Sequence, residues 1–152
     1  MPSYLVIMDE TDESPVALRW AARRAAQGGL GIVLLALIPP QDFVEWGGVQ
    51  AAIEEEARLR AEAMVLQAAG AIIEEAGVRP TILVRDGEPV KVITDILREN
   101  DEIAALVLAA AAEGGPGPLV SHFSGSVAGS LPCPLVTVPG GLADDGRAAA
   151  EA

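Results

Sequence analysis

Two short stretches of this chain carry groups able to do chemistry. One is MDETDES (8–14), where Asp9 and Thr11 follow an apolar run; the other is GGPGPLVSHFSGSVAGSLPCP (114–134), with five glycines and four prolines. A glycine-rich turn feeding a helix can cradle a phosphate on free backbone N–H groups. The bland alternatives are equally concrete: an Asp that caps its own turn, and glycines that turn a corner. Catalysis has little to work with. No Gly-x-Ser-x-Gly elbow follows a strand, and the single Cys133 and single His122 cannot build a metal site without many other ligands. Cys133, flanked by prolines, is expected to be a small buried apolar residue, and His122 a solvated one. Trp20 and Trp46 are isolated aromatics, not a stacking platform.

The elements around these stretches follow from apolar runs and their punctuation. Residues 3–9, 31–40, 80–87, 103–111 and 134–140 read as short apolar strands ended by charge, Pro or Gly. Between the first two, Ser14-Pro15 reads as an N-cap with proline at the first helical position, and Gly28-Gly29 as the stop. A long helix is predicted over Val49 to Ala76, with Glu54, Glu55 and Glu56 on a solvated face near its start. Residues 87–100 read as a short amphipathic helix that places Val92, Ile93, Ile96 and Leu97 on one face.

Strands alternating with helices, and apolar on both faces, imply a parallel sheet covered on both sides. Right-handed crossovers leave few topologies, and an open, doubly wound, five-stranded α/β sheet is the expected fold, with 3-2-1-4-5 as the strand order taken for it. Ligands then bind beyond the strand ends where the order reverses, between the first and fourth strands. MDETDES and AAAEGGPGP (110–118) meet there. Residues 1–140 are expected to form one domain, with 40–48 as a loop and 141–152 as a mobile tail.

Composition narrows the function further. Acidic residues outnumber basic ones 22 to 10, giving a net charge of -12, a surface that repels nucleic acid and anionic membranes. Half the residues are hydrophobic and only 3% aromatic, so the core must be aliphatic. MPSYLVIMDE lacks a basic leader region, and the apolar runs are too short to span a bilayer. The expectation is a soluble cytoplasmic protein.

Taken in order, strand–Asp9-x-Thr11-x-x-Ser14, ALRWAA, DGEPVKVITDI, an apolar strand, a glycine-rich loop and PCPLVTV resemble the universal stress protein family, from about Tyr4 to Pro139. The resemblance implies the fold above, a homodimer paired through the last strand (Leu135 to Val138), and a regulatory role in stress resistance rather than an enzymatic one. Many members bind ATP through an Asp near the adenine and a loop of the form Gly-x-x-Gly, nine residues, Gly-Ser/Thr; others bind no nucleotide. Asp9 carries over, Thr11 keeps the hydroxyl, and Leu37 falls where the family lines the adenine pocket. Glu10 stands where Gly is common.

The loop departs from that pattern. Gly115 lies at the family spacing before Gly125-Ser126, but Ala112 stands where the preceding Gly belongs. Gly114 and Gly117 have the inner spacing but sit too close to Gly125. Leu119, Phe123, Val127 and Leu131 recur every four residues, predicting one helix from Pro118 to about Leu131 despite two internal glycines at about 1 kcal/mol each. The GSVA tetrad then lies inside a helix. The anion-facing turn becomes Gly114, Gly115 and Gly117 with the free N–H groups of Leu119, Val120 and Ser121. Pro116 and Pro118 remove donors, and Glu113 adds negative charge. ATP is thus the cofactor expected if any. A nucleotide-free dimerisation module is the alternative. An enzyme of the related ATP-cleaving folds needs a Ser-Gly-Gly-type turn after the first strand and more cations, and MDETDES supplies neither.

Overall fold

The structure, a computed structural model, describes residues 1–41 and 48–142. Trp46 with most of the expected 40–48 loop, and residues 143–152 of the expected tail, lie outside the described residues. Five strands, β1 (Ser3–Met8), β2 (Gly31–Ile38), β3 (Thr81–Asp86), β4 (Ile103–Ala110) and β5 (Leu135–Pro139), form one sheet of order β3-β2-β1-β4-β5. Every neighbouring pair is parallel, which requires a crossover between sequential strands. Helices α1 (Ser14–Gly28), α2 (Val49–Ala76), α3 (Pro89–Glu99) and α4 (Pro118–Phe123) supply these, and a short 3-10 turn covers Ala128–Ser130.

Alternation along the central strands divides the core. Val6 and Met8 of β1, with Ile32, Leu34 and Ala36 of β2, point to the side of α1 and α2. Leu5, Ile7, Val33 and Leu35 point to the side of α3 and α4. That is why these strands read as unbroken apolar runs: both faces are covered. Edge strand β3 departs from the expectation, because only Leu83 and Val84 are half-buried and Ile82 is exposed. α1 and α2 stop where Gly29 and Gly77 adopt the left-handed conformation, which relieves the helix of its last carbonyls.

Two local expectations are overturned. Ser14 does not cap α1. Glu13 holds the cap position without a side-chain bond, and the Ser14 hydroxyl turns inward instead. The helix expected from Pro118 to Leu131 ends at Phe123. Beyond it the Ser124 hydroxyl donates to the Val120 carbonyl (2.6 Å), and the Gly125 N–H to that of His122 (3.3 Å). A serine competing for helix carbonyls, followed by two glycines without side-chain packing, ends the helix. The apolar stripe survives the break: Phe123 is fully buried, and Leu119, Val127 and Leu131 pack around it. Cys133 is half-buried rather than buried; burial pushes its thiol pKa up, and a backbone hydrogen bond at Leu106 works the other way.

Candidate functional site

β1 and β4 are adjacent, but their crossovers leave to opposite faces of the sheet, so their C-terminal ends splay apart and open a cleft. The cleft has a volume of about 450 Å³. Its floor is Ile7, Leu37 and Leu108, its walls are Val90 and Leu119, and Asp9 and Thr11 stand at its rim.

Asp9 follows β1 directly. Its Oδ1 accepts the Thr11 N–H (3.0 Å) and the Thr11 hydroxyl, forming the turn that leads towards α1. Its own N–H donates to the Ser14 hydroxyl (3.2 Å). That hydroxyl lies 3.3 Å from the Ile7 carbonyl, which it reaches as a donor, and 3.2 Å from the Met8 sulfur. Ser14, 1% exposed, therefore ties the end of β1 to the start of α1. Asp9 has a turn-forming duty, and its second oxygen accepts no bond from the described residues.

On the opposite wall, the Ala111 N–H donates to the Pro116 carbonyl (3.3 Å) and closes the loop after β4. Gly114, Gly115 and Gly117 all have positive φ, at 78°, 95° and 99°, a region other residues enter only with strain. Gly117 lines the cleft together with Pro116, Pro118 and Val120, whereas Gly114, Gly115 and Ser121 do not. The Ser121 N–H, expected to be free, donates to the Gly117 carbonyl (3.1 Å) as the first bond of α4. Leu119 and Val120 keep N–H groups without helical acceptors. With six residues, α4 also has a much smaller dipole than a helix reaching Leu131.

The structure thus brings Asp9, Thr11, Leu37, Gly117 and Val120 to one cleft and leaves Gly114, Gly115 and Ser121 outside it. Sequence reasoning missed Pro39 and Pro40 after β2, and Glu88, Pro89 and Val90 at the start of α3. The Glu-Pro pair opening an amphipathic stretch was the available signal. Glu88 accepts the N–H groups of Val90 (3.1 Å) and Lys91 (2.8 Å), so the donors of α3 are already taken. Three carboxylate residues, Asp9, Glu13 and Glu88, border the cleft, and among the described residues no Lys or Arg lines it. Among the described residues no cluster has the makings of a metal site, and no helix is long and apolar enough to cross a membrane.

Residues 3–139 match the family model described as the universal stress protein family. No curated protein matches the chain. Among solved structures, it is similar to the universal stress protein UspA from Lactobacillus plantarum, with 18% identity, coverage of 90% of this chain and 96% of that one, and a TM-score of 0.73. It is also similar to the universal stress protein from Archaeoglobus fulgidus in complex with dAMP (22% identity; 90% and 96% covered; TM-score 0.57). A third is a universal stress protein family protein from Arabidopsis thaliana with AMP bound (16% identity; 99% and 95% covered; TM-score 0.58). At these identities the structural likeness speaks to the fold, and the match along residues 3–139 to the family: the chain belongs to the universal stress protein family.

Proposed function

We propose that this chain acts by binding rather than by catalysis, as a stress-response regulatory protein that holds an adenine nucleotide in the β1/β4 cleft. One observation carries the reading: Asp9, Thr11, Leu37, Gly117 and Val120 line a single cleft of about 450 Å³ at the point where the strand order reverses. A mostly apolar cleft with a few convergent polar groups suits a nucleoside. Leu37 and Leu108 offer apolar contact to the base, the free oxygen of Asp9 accepts from an amino or hydroxyl group, and the Leu119 and Val120 amides face an anion. Similar proteins solved with dAMP and AMP support the ligand class. The acidic lining favours few phosphates, or several carried in with a divalent cation.

Equilibrium binding of ATP, ADP and AMP, with and without magnesium and repeated on Asp9→Ala, tests this. Saturable binding that the variant loses supports the site, and no detectable binding of any of the three removes it. A second reading, homodimerisation through β5, is favoured by one feature: β5 ends the sheet, so the outer edge of Leu135–Pro139 carries backbone groups that no described strand pairs. Thr137→Pro, which cannot extend a ladder, is expected to lower the solution mass seen by light scattering, and an unchanged mass rejects that pairing.

A further inference from the structure

Helix α2 is apolar on two sides. Ala57, Ala61, Val65, Ala69 and Ile72 are buried against the sheet and α1. On the far side Leu59, Leu66 and Ile73 recur every seven residues and are 55%, 62% and 38% exposed. Ala63 and Gly70 stand between them, also exposed. The resulting four-three spacing is that of a coiled-coil seam. A straight helix drifts about 20° per heptad, so Leu59 to Ile73 still form one face. We propose that this face pairs antiparallel with the same face of a second copy of the chain, about a two-fold axis level with Ala68 that passes beside Gln67.

Size complementarity sets the orientation. With the axis level with Ala68, Leu66 lies opposite Gly70 of the second copy, Ile73 opposite Ala63, and Leu59 opposite Gly77. A Cβ built on Gly70 or Gly77 has no heavy atom within 4 Å, so open space lies over both backbones to receive a leucine. Parallel pairing sets leucine against leucine and glycine against glycine, leaving voids that packed interfaces avoid.

Charge agrees with the same register. On one flank of the seam Arg60 lies within about 3 Å of the level of Glu74 of the second copy, and Gln67 lies at the same offset from its own copy beside the axis. Arg60 is held only loosely within its own chain, 3.5 Å from Glu56 and 3.8 Å from Glu10, at exposed positions. Glu56, which continues the stripe towards the start of α2, falls beyond the overlapping segment. A second copy is the fitting occupant because the stripe supplies both the large and the small side chains, and both charges, in two-fold order. The net charge of -12 per chain opposes association, so the matched Arg60 and Glu74 carry weight in fixing the register.

The test uses single cysteines in a Cys133→Ala background, treated with a short bismaleimide. Gln67→Cys is expected to give a covalent dimer. Arg60→Cys and Glu74→Cys are each expected to give none alone and a dimer when mixed. Adding Leu66→Glu to Gln67→Cys should abolish the product while circular dichroism stays unchanged, since Leu66 is exposed. No product from Gln67→Cys, product from Arg60→Cys or Glu74→Cys alone at the level of the mixture, or product surviving Leu66→Glu each overturns the pairing. Association through β5 leaves this pattern unmoved.

Discussion

Asp9 has one duty the structure shows, the turn with Thr11, and a proposed second one, ligand binding. Its Oδ1 forms the turn with Thr11, a duty Asn performs as well. Asp9→Asn is therefore expected to leave stability within about 0.5 kcal/mol, whereas Asp9→Ala loses the turn bonds and costs about 1 kcal/mol. Denaturant unfolding checks both, and equal losses would show that the charge rather than the turn matters. Ser14 is buried with its hydroxyl between the Asp9 N–H and the Ile7 carbonyl. Ser14→Ala strands a buried donor and is expected to cost about 1–3 kcal/mol; a helix-cap role alone predicts a loss that Ser14→Asn restores. Cys133 has a raised thiol pKa because burial disfavours the thiolate. Its folded thiol should react with iodoacetamide more slowly near pH 8 than the same thiol in the unfolded chain. The sign for stability follows: the contribution is full below the ordinary thiol range and is lost as pH rises through the higher folded value.

At the scale of elements, the segment after β4 separates what periodicity reads from what it does not. The four-residue recurrence from Leu119 to Leu131 identified the buried face correctly, with Phe123 at its centre. It did not establish a continuous helix, because a turn and a 3-10 segment can present the same stripe while leaving helical geometry. GSVA accordingly follows α4 and enters the 3-10 turn at Ala128 instead of lying inside an α-helix, and it takes no part in lining the cleft. Two glycines in this region should respond to alanine with opposite signs. Gly117 has φ 99°, so Gly117→Ala is expected to destabilise by more than about 1 kcal/mol. Gly129 has open space and no positive φ, so Gly129→Ala should stabilise by about 0.4–1 kcal/mol. Thermal unfolding of the two variants checks the contrast, and a shared sign contradicts it.

Across the whole molecule, electrostatics bears on which nucleotide the proposed site would accept. Asp9, Glu13 and Glu88 border the cleft, no basic side chain among the described residues lines it, and the chain carries a net charge of -12. Each added phosphate therefore enters an unfavourable field unless a cation accompanies it. Without magnesium, ATP is expected to bind no more tightly than AMP; with magnesium it should gain at least tenfold. Calorimetric titration of both nucleotides measures this, and ATP binding that ignores chelation of magnesium overturns it.

Residue order alone carried the strand and helix sequence and the parallel sheet, and the family resemblance supplied the strand order that brings Asp9 and the glycine-rich loop together. The elements and the parallel sheet follow from local periods of hydrophobicity and from chirality, which are written along the chain. The individual contacts were not legible in the same way. Whether Ser14 caps or bridges, whether Ser121 keeps a free N–H, and whether Gly114 faces the cleft depend on rotations of a few tens of degrees that no spacing encodes. Likewise α2 reads simply as a long helix with an acidic run. Only its packing on the sheet separates the covered stripe from the exposed one, because both are apolar and burial is a property of the assembled fold.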